Sequence, residues 1–152
     1  MSEDGNKKHR KFAVDCFNGT WDLIEKADRT PEEDARMIHM AHASRFHWGE
    51  IGTPINFARG DWQISRVYAI LGQGENALKF AKDCLHICQD QNLGDFDLAF
   101  AYEAAARAFM VLGDVEMTEK HLLLARDAGD AIAKEDDKKY FFRELETIPS
   151  IV

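Results

Sequence analysis

Apolar positions along this chain recur at helical rather than strand intervals. No β-branched alternating run is long enough for a strand, and the longest apolar stretches span only a few residues. The pattern therefore predicts an all-α fold without a membrane-crossing helix. Polar and glycine-containing punctuation divides it into seven helices. The first runs from about Asn6 to Lys26. The second opens at Thr30-Pro31-Glu32-Glu33, where Thr30 supplies a capping hydroxyl, Pro31 suits the first helical position and Glu33 completes a capping box. It runs to about Trp48, before Gly49 and Gly52. Thr53-Pro54 starts the third, which continues to about Leu71 despite Gly60, at a propensity cost of about 1 kcal/mol. The fourth follows Gly72-Gln73-Gly74 and ends near Gln91. The fifth starts at Gly94-Asp95 with Asp95 as its cap, and Gly113-Asp114 ends it and caps the sixth. The seventh, from about Lys134 to Thr147, carries Tyr140, Phe141 and Leu145 on one side and stops before Pro149.

Three of the turns recur at a near-constant interval. Thr30, Gly72 and Gly113 lie 42 and 41 positions apart, and each turn is followed by a small residue: Ala35, Ala77 or Thr118. Such a period is expected of stacked helical hairpins, in which each unit needs its neighbours to bury its apolar face. The expected architecture is a single domain, residues 1–152, of three hairpins (about 6–48, 54–91 and 95–132) with a capping helix over 134–147. Subtracting 42 from Ala77, Ala81 and Cys84 puts Ala35, His39 and His42 at the packing positions of the first hairpin.

Composition narrows the function classes. The 152 residues carry a formal net charge of −8, and no dense Lys/Arg run interrupts the acidic balance. Nucleic acid and anionic membrane are poor partners on that ground. The acidic start, Ser2-Glu3-Asp4, is unlike a secretory signal, and three cysteines (Cys16, Cys84, Cys88) show no disulfide framework. Both point to a cytoplasmic protein, with Cys84 and Cys88 buried as small hydrophobes.

Two segments carry a more specific likeness. One is Trp62-x-x-Ser65-Arg66-Val67-Tyr68-Ala69-x-Leu71-Gly72, followed by Ala77, Ala81 and Cys84. The other is Tyr102-x-x-Ala105-Ala106-x-x-Phe109-x-x-Leu112-Gly113, followed by Thr118, Leu122 and Ala125. Together they resemble tetratricopeptide repeats, which implies an α-α superhelix with a concave groove that binds protein or peptide segments. The period exceeds the usual 34, and the family's terminal proline is missing from both units. Trp21 falls near, but not on, the position that the repeat would give the first helix. The family's carboxylate-clamp pattern of paired Lys and Asn is absent, so a chaperone-tail ligand is not implied. The whole chain also resembles a bacterial protein group that carries no assigned activity.

In tetratricopeptide-like stacks, the first helix of each hairpin lines the groove at positions spaced three, four and three. Mapped here, the resemblance assigns Arg59, Trp62, Arg66 and Ala69 from the third helix, and Phe100, Glu103, Arg107 and Met110 from the fifth. Arginine forks suit carboxylates, and aromatic rings add buried area. The leading expectation is a non-enzymatic interaction module for an anionic or peptide ligand, with no cofactor. In the competing reading Arg66 and Arg107 pair internally with Glu103, Asp95 or Asp97.

His39, His42 and His47 fall close together, but His47 lies about 140° from His42 around a helix, so the three do not share a face. Structural imidazoles, contact with the ligand and a metal site are the three readings, in that order. His47 and Glu50 could reach the groove opening, and Trp48 is expected in the hairpin core. Asp95 and Asp97 read as helix-terminal acids rather than a catalytic pair. No nucleophile elbow, phosphate loop or zinc signature is present. The alternative function is a small-ligand or metal-dependent enzyme using His42, His47, Asp95, Asp97 and Glu103. A third is a homo-oligomeric scaffold, paired through the unmatched first helix.

Overall fold

A computed structural model describes residues 2–149. Among them the chain forms seven α-helices and no strand: α1 (Glu3–Glu25), α2 (Pro31–Ile51), α3 (Pro54–Ile70), α4 (Gly74–Asp90), α5 (Asp95–Leu112), α6 (Val115–Asp130) and α7 (Glu135–Leu145). Helices α1 and α2, α3 and α4, and α5 and α6 pack as successive antiparallel hairpins, and each hairpin leans on the next. The result is an α-α superhelical stack in two layers. Helices α1, α3, α5 and α7 follow one another along the inner layer, and α2, α4 and α6 form the outer one.

The turns follow from local chemistry. Thr30 Oγ1 accepts the Glu33 N–H at 3.2 Å, while Glu33 Oε1 accepts the Thr30 N–H at 3.0 Å, closing the expected capping box. Gly72 and Gly113 end α3 and α5 in the left-handed region, at φ 76° and 77°. A side chain at either site would strain the backbone. The start of α5 departs from expectation. Gly94, not Asp95, is its N-cap, and Asp95 takes a positive φ of 54°. Its carboxylate reaches across to accept the Ala133 N–H at 2.9 Å, pinning the turn that leads into α7. Gly60 has a packing reason: a Cβ there would lie 2.7 Å from Arg45 Cδ of α2.

Small residues let the helices approach. Met37, Ala41 and Ser44 of α2, Ala77, Ala81 and Cys84 of α4, and Thr118 and Ala125 of α6 are buried, whereas Ala35 and His39 face solvent. The first interval is therefore 40 rather than 42 positions. Helix α2 carries an extra, exposed turn between its cap and its first buried residue, so counting from the turn misplaced the register by two residues, about 200° of rotation. Buried hydroxyls and an amide tie neighbouring helices together. Ser44 Oγ donates to the Ala13 carbonyl (2.8 Å), Ser65 Oγ to the Ala77 carbonyl (2.7 Å) and Gln63 Nε2 to the Phe17 carbonyl (3.0 Å). The last hairpin is sealed by α7, whose Phe141 is fully buried and whose Leu145 joins it in a core with Phe100 and Ala125. Gly129 of α6 makes room for Phe141, since a Cβ there would fall 2.5 Å from its ring.

Candidate functional site

The inner face of α3 and α5 divides into two regions with opposite character. Nearer the start of both helices is a cavity of about 280 Å³. Trp62 and Phe100 form its floor, Phe17 and Trp21 of α1 one wall, and Phe96 and Tyr140 the other. The rings meet one another at 4.7 to 5.9 Å between centroids for Trp21–Trp62, Trp62–Phe100, Phe96–Phe100 and Phe100–Tyr140. These are ordinary offset and edge contacts, so the walls are braced by each other. Burial also raises the Tyr140 phenol above its ordinary value, with the Glu144 carboxylate adding to the effect, so it stays a neutral hydroxyl.

Polar groups stand at the rim. Arg59 donates from Nε and Nη2 to the two oxygens of Asp97, at 2.8 and 3.3 Å, and lies over the Phe96 ring. The thiol of Cys84 reaches the cavity from α4. It is held well above its ordinary pKa by its hydrogen bond with Cys88 and then by burial, and is therefore no thiolate nucleophile at neutral pH. Trp62 Nε1 is buried with no hydrogen-bond partner among the described residues.

About one helical turn further along, the same stripes carry a sealed ionic cluster. Glu103 is fully buried, and Arg66 and Arg107 are 6% and 8% exposed. Arg66 Nη2 donates to Glu103 Oε1 at 2.7 Å, and its Nη1 to Glu144 Oε1 of α7 at 3.3 Å. Arg107 Nη2 donates to the Thr147 hydroxyl at 2.7 Å and to the Glu144 carbonyl at 3.2 Å, with Glu103 Oε1 at 3.6 Å. Burial opposes the charge of Arg66, but Glu103 and Glu144 more than restore it, whereas burial dominates at Arg107 and lowers its pKa. Both remain guanidinium ions at any ordinary pH. The guanidinium of Arg66 also lies over Trp62 and Trp21, at 5.3 and 5.9 Å from the ring centroids, which joins the cluster to the wall of the cavity.

Of the residues singled out in the sequence, the structure gathers Arg59, Trp62 and Phe100 at the cavity, and Arg66, Glu103 and Arg107 beneath α7. His42 and His47 lie elsewhere. His42 Nε2 is 2.9 Å from the Tyr68 hydroxyl and packs edge-on against Phe80, in the hairpin interface rather than the groove. His47 Nδ1 is 2.8 Å from His9 Nδ1, between Phe12 and Phe46 on the outside of the first hairpin. Trp48 sits under the Arg10 guanidinium, beside a smaller cavity. Asp95, Asp97, Glu103, His42 and His47 each bond to different partners and not to one another. Among the described residues, no three metal-ligating side chains converge.

Sequence reasoning predicts α1 and α7 as helices but misses that both line the site. Trp21 was visible as a near-match to the repeat, and the spacing of Tyr140 and Glu144 by four places both on one face of α7. Nothing local said that this face closes the groove. Among known proteins, no family model, no curated protein and no solved structure matches the chain. What fold and site define is a class: a helical-repeat protein with an aromatic cavity in its concave layer.

Proposed function

We propose that this chain is a non-enzymatic interaction module, a divergent tetratricopeptide-like stack of the kind expected in a bacterial cytoplasm, and that its concave cavity anchors a peptide segment by an apolar, preferably aromatic, side chain. The observation that carries this reading is the aromatic cavity itself: braced rings, a few polar groups at the rim and space for one large side chain. The expected preference for anions moves to second place. Arg66 and Arg107 already hold Glu103 and Glu144, and displacing those would leave buried carboxylates unpaired, at a cost of several kcal/mol. Among the described residues, Arg59 is the groove arginine that keeps an unspent nitrogen for a ligand beside its pair with Asp97, with half of its side chain exposed. The three cysteines are free thiols, which fits a reducing compartment.

Calorimetric titration with N-acetyl-phenylalanine amide and N-acetyl-glutamate amide tests the reading. The phenylalanine amide should bind and raise the melting temperature, as any ligand of the native state does. Asn18, exposed at the cavity mouth, offers a blocking site: Asn18→Trp should abolish that binding with little change in the melting temperature of the free protein. Binding of the glutamate amide alone, or equal binding by Asn18→Trp, would overturn the assignment.

A further inference from the structure

The aromatic cavity is not alone in the groove. A second cavity, of about 170 Å³, adjoins it between α1 and α3 and is lined by Val14, Trp48, Asn56 and Gly60. Three residues, Phe17, Asn18 and Arg59, line both. Alternate residues on one side of an extended chain lie about 6–7 Å apart, so an extended segment crossing the shared wall can present one side chain to each cavity.

The shared wall is where the polar groups stand. Arg59 spends Nε and Nη2 on Asp97, and its Nη1 has no partner among the described residues. The Asn18 side chain has no hydrogen-bond partner among the described residues either, and in the smaller cavity Asn56 uses only its Oδ1, which accepts from the Thr53 N–H and hydroxyl. Free N–H donors thus stand between two apolar cavities of unequal size. An extended peptide presents the complementary order: a side chain, backbone carbonyls, then a second side chain facing the same way.

Resting on the peptide-anchoring reading above, we infer that the groove takes an extended tripeptide unit, with an aromatic side chain in the larger cavity, a small aliphatic one two residues away in the smaller, and the carbonyls between them held by Arg59 and the amide of Asn18. The unequal volumes set the order of the two side chains along the groove. The unspent N–H groups of Arg59 and Asn18 on the shared wall favour a backbone with its carbonyls turned inward. A peptide with a cationic residue at the aliphatic position is disfavoured, because the Arg59 guanidinium lines the same cavity and repels it.

The test titrates acetyl-Phe-Gly-Val-amide and acetyl-Val-Gly-Phe-amide, which cover both chain directions, alongside acetyl-Phe-Gly-Gly-amide. One of the two-anchor peptides should bind at least tenfold more tightly than the peptide lacking valine. Val14 is partly exposed, so Val14→Trp can fill the smaller cavity with little disturbance of the fold, which an unchanged melting temperature would confirm. In that variant the tenfold gain should vanish, while acetyl-Phe-Gly-Gly-amide binds as before. Equal affinity of all three peptides for the native protein, or a gain that survives Val14→Trp, would overturn the second subsite and leave the aromatic anchor standing. Failure of every peptide to bind would instead bring down the anchoring reading and this inference with it.

Discussion

Arg59 and Arg66 stand two turns apart on one face of α3, and each faces an acid of α5, yet they do different things. Arg59 reaches Asp97 at the open rim of the cavity, with half of its side chain in solvent. Arg66 reaches Glu103 in a sealed interior, where Glu144 of α7 supplies the second carboxylate. Each pair joins an arginine of α3 to a carboxylate of α5 at nearly the same sequence separation, 38 and 37 residues, and what differs is whether α7 covers the pair. An uncovered arginine keeps unspent donors that a ligand can use. A covered one becomes part of the protein's own scaffold, and its carboxylates become essential because burial removes water as an alternative partner.

The largest consequence falls on Glu103. Replacing it by alanine strips both Arg66 and Arg107 of their nearest carboxylate while leaving them buried. The expected loss is about 3–5 kcal/mol of stability by chemical denaturation, and Arg66→Ala should likewise destabilise rather than only weaken binding. Less than about 1 kcal/mol for Glu103→Ala would mean that the cluster is wet and the contrast with Arg59 false. Next comes the seal itself. Gly129→Ala forces a methyl against the Phe141 ring and should cost about 1–3 kcal/mol. If α7 lies loosely on the stack, it will cost almost nothing.

Acidification separates the first hairpin from both regions. Burial lowers the His42 imidazole pKa, with the charges of His39 and Lys79 adding to it; burial and the neighbouring His9 do the same for His47. A base whose folded pKa is depressed takes up its proton more readily when unfolded. Its stabilising contribution is therefore complete above the ordinary value of about 6.5 and is lost as pH falls through the folded value. Melting temperature should drop between pH 7.5 and 5, and His42→Gln should flatten part of that slope. A melting temperature that rises on acidification would contradict the assignment. The smallest effect is expected at Arg59→Ala, less than about 1 kcal/mol, since a half-exposed ion pair is screened by solvent. A large loss there would erase the difference between rim and interior.

Much of this was legible in the chain. The turns at Thr30, Gly72 and Gly113 are written in caps and glycines, which act locally, and the helices follow them closely. The inner stripe of Arg59, Trp62, Arg66, Phe100, Glu103 and Arg107 could also be read. Two things could not. The extra turn of α2 changes the register without changing the turn signal, so counting from the turn puts Ala35 and His39 at packing positions that Met37 and Ala41 hold. The fate of Arg66 depends on Glu144, 78 residues away in sequence, and helical spacing carries no information about which distant face will dock. Asp95 is a third case. An aspartate after glycine looks like a cap, but the left-handed turn at that residue sends its carboxylate to Ala133 instead.

The most direct measurement is a hydrogen–nitrogen correlation spectrum recorded during titration with acetyl-Phe-Gly-Gly-amide, read at side-chain signals. The indole N–H of Trp21 and Trp62 should shift progressively, while the Nε–H of Arg66 and Arg107, sealed beneath α7, stay in place. Movement of the two arginine signals with the indoles unmoved would contradict the division of the concave face into an open aromatic site and a closed ionic one.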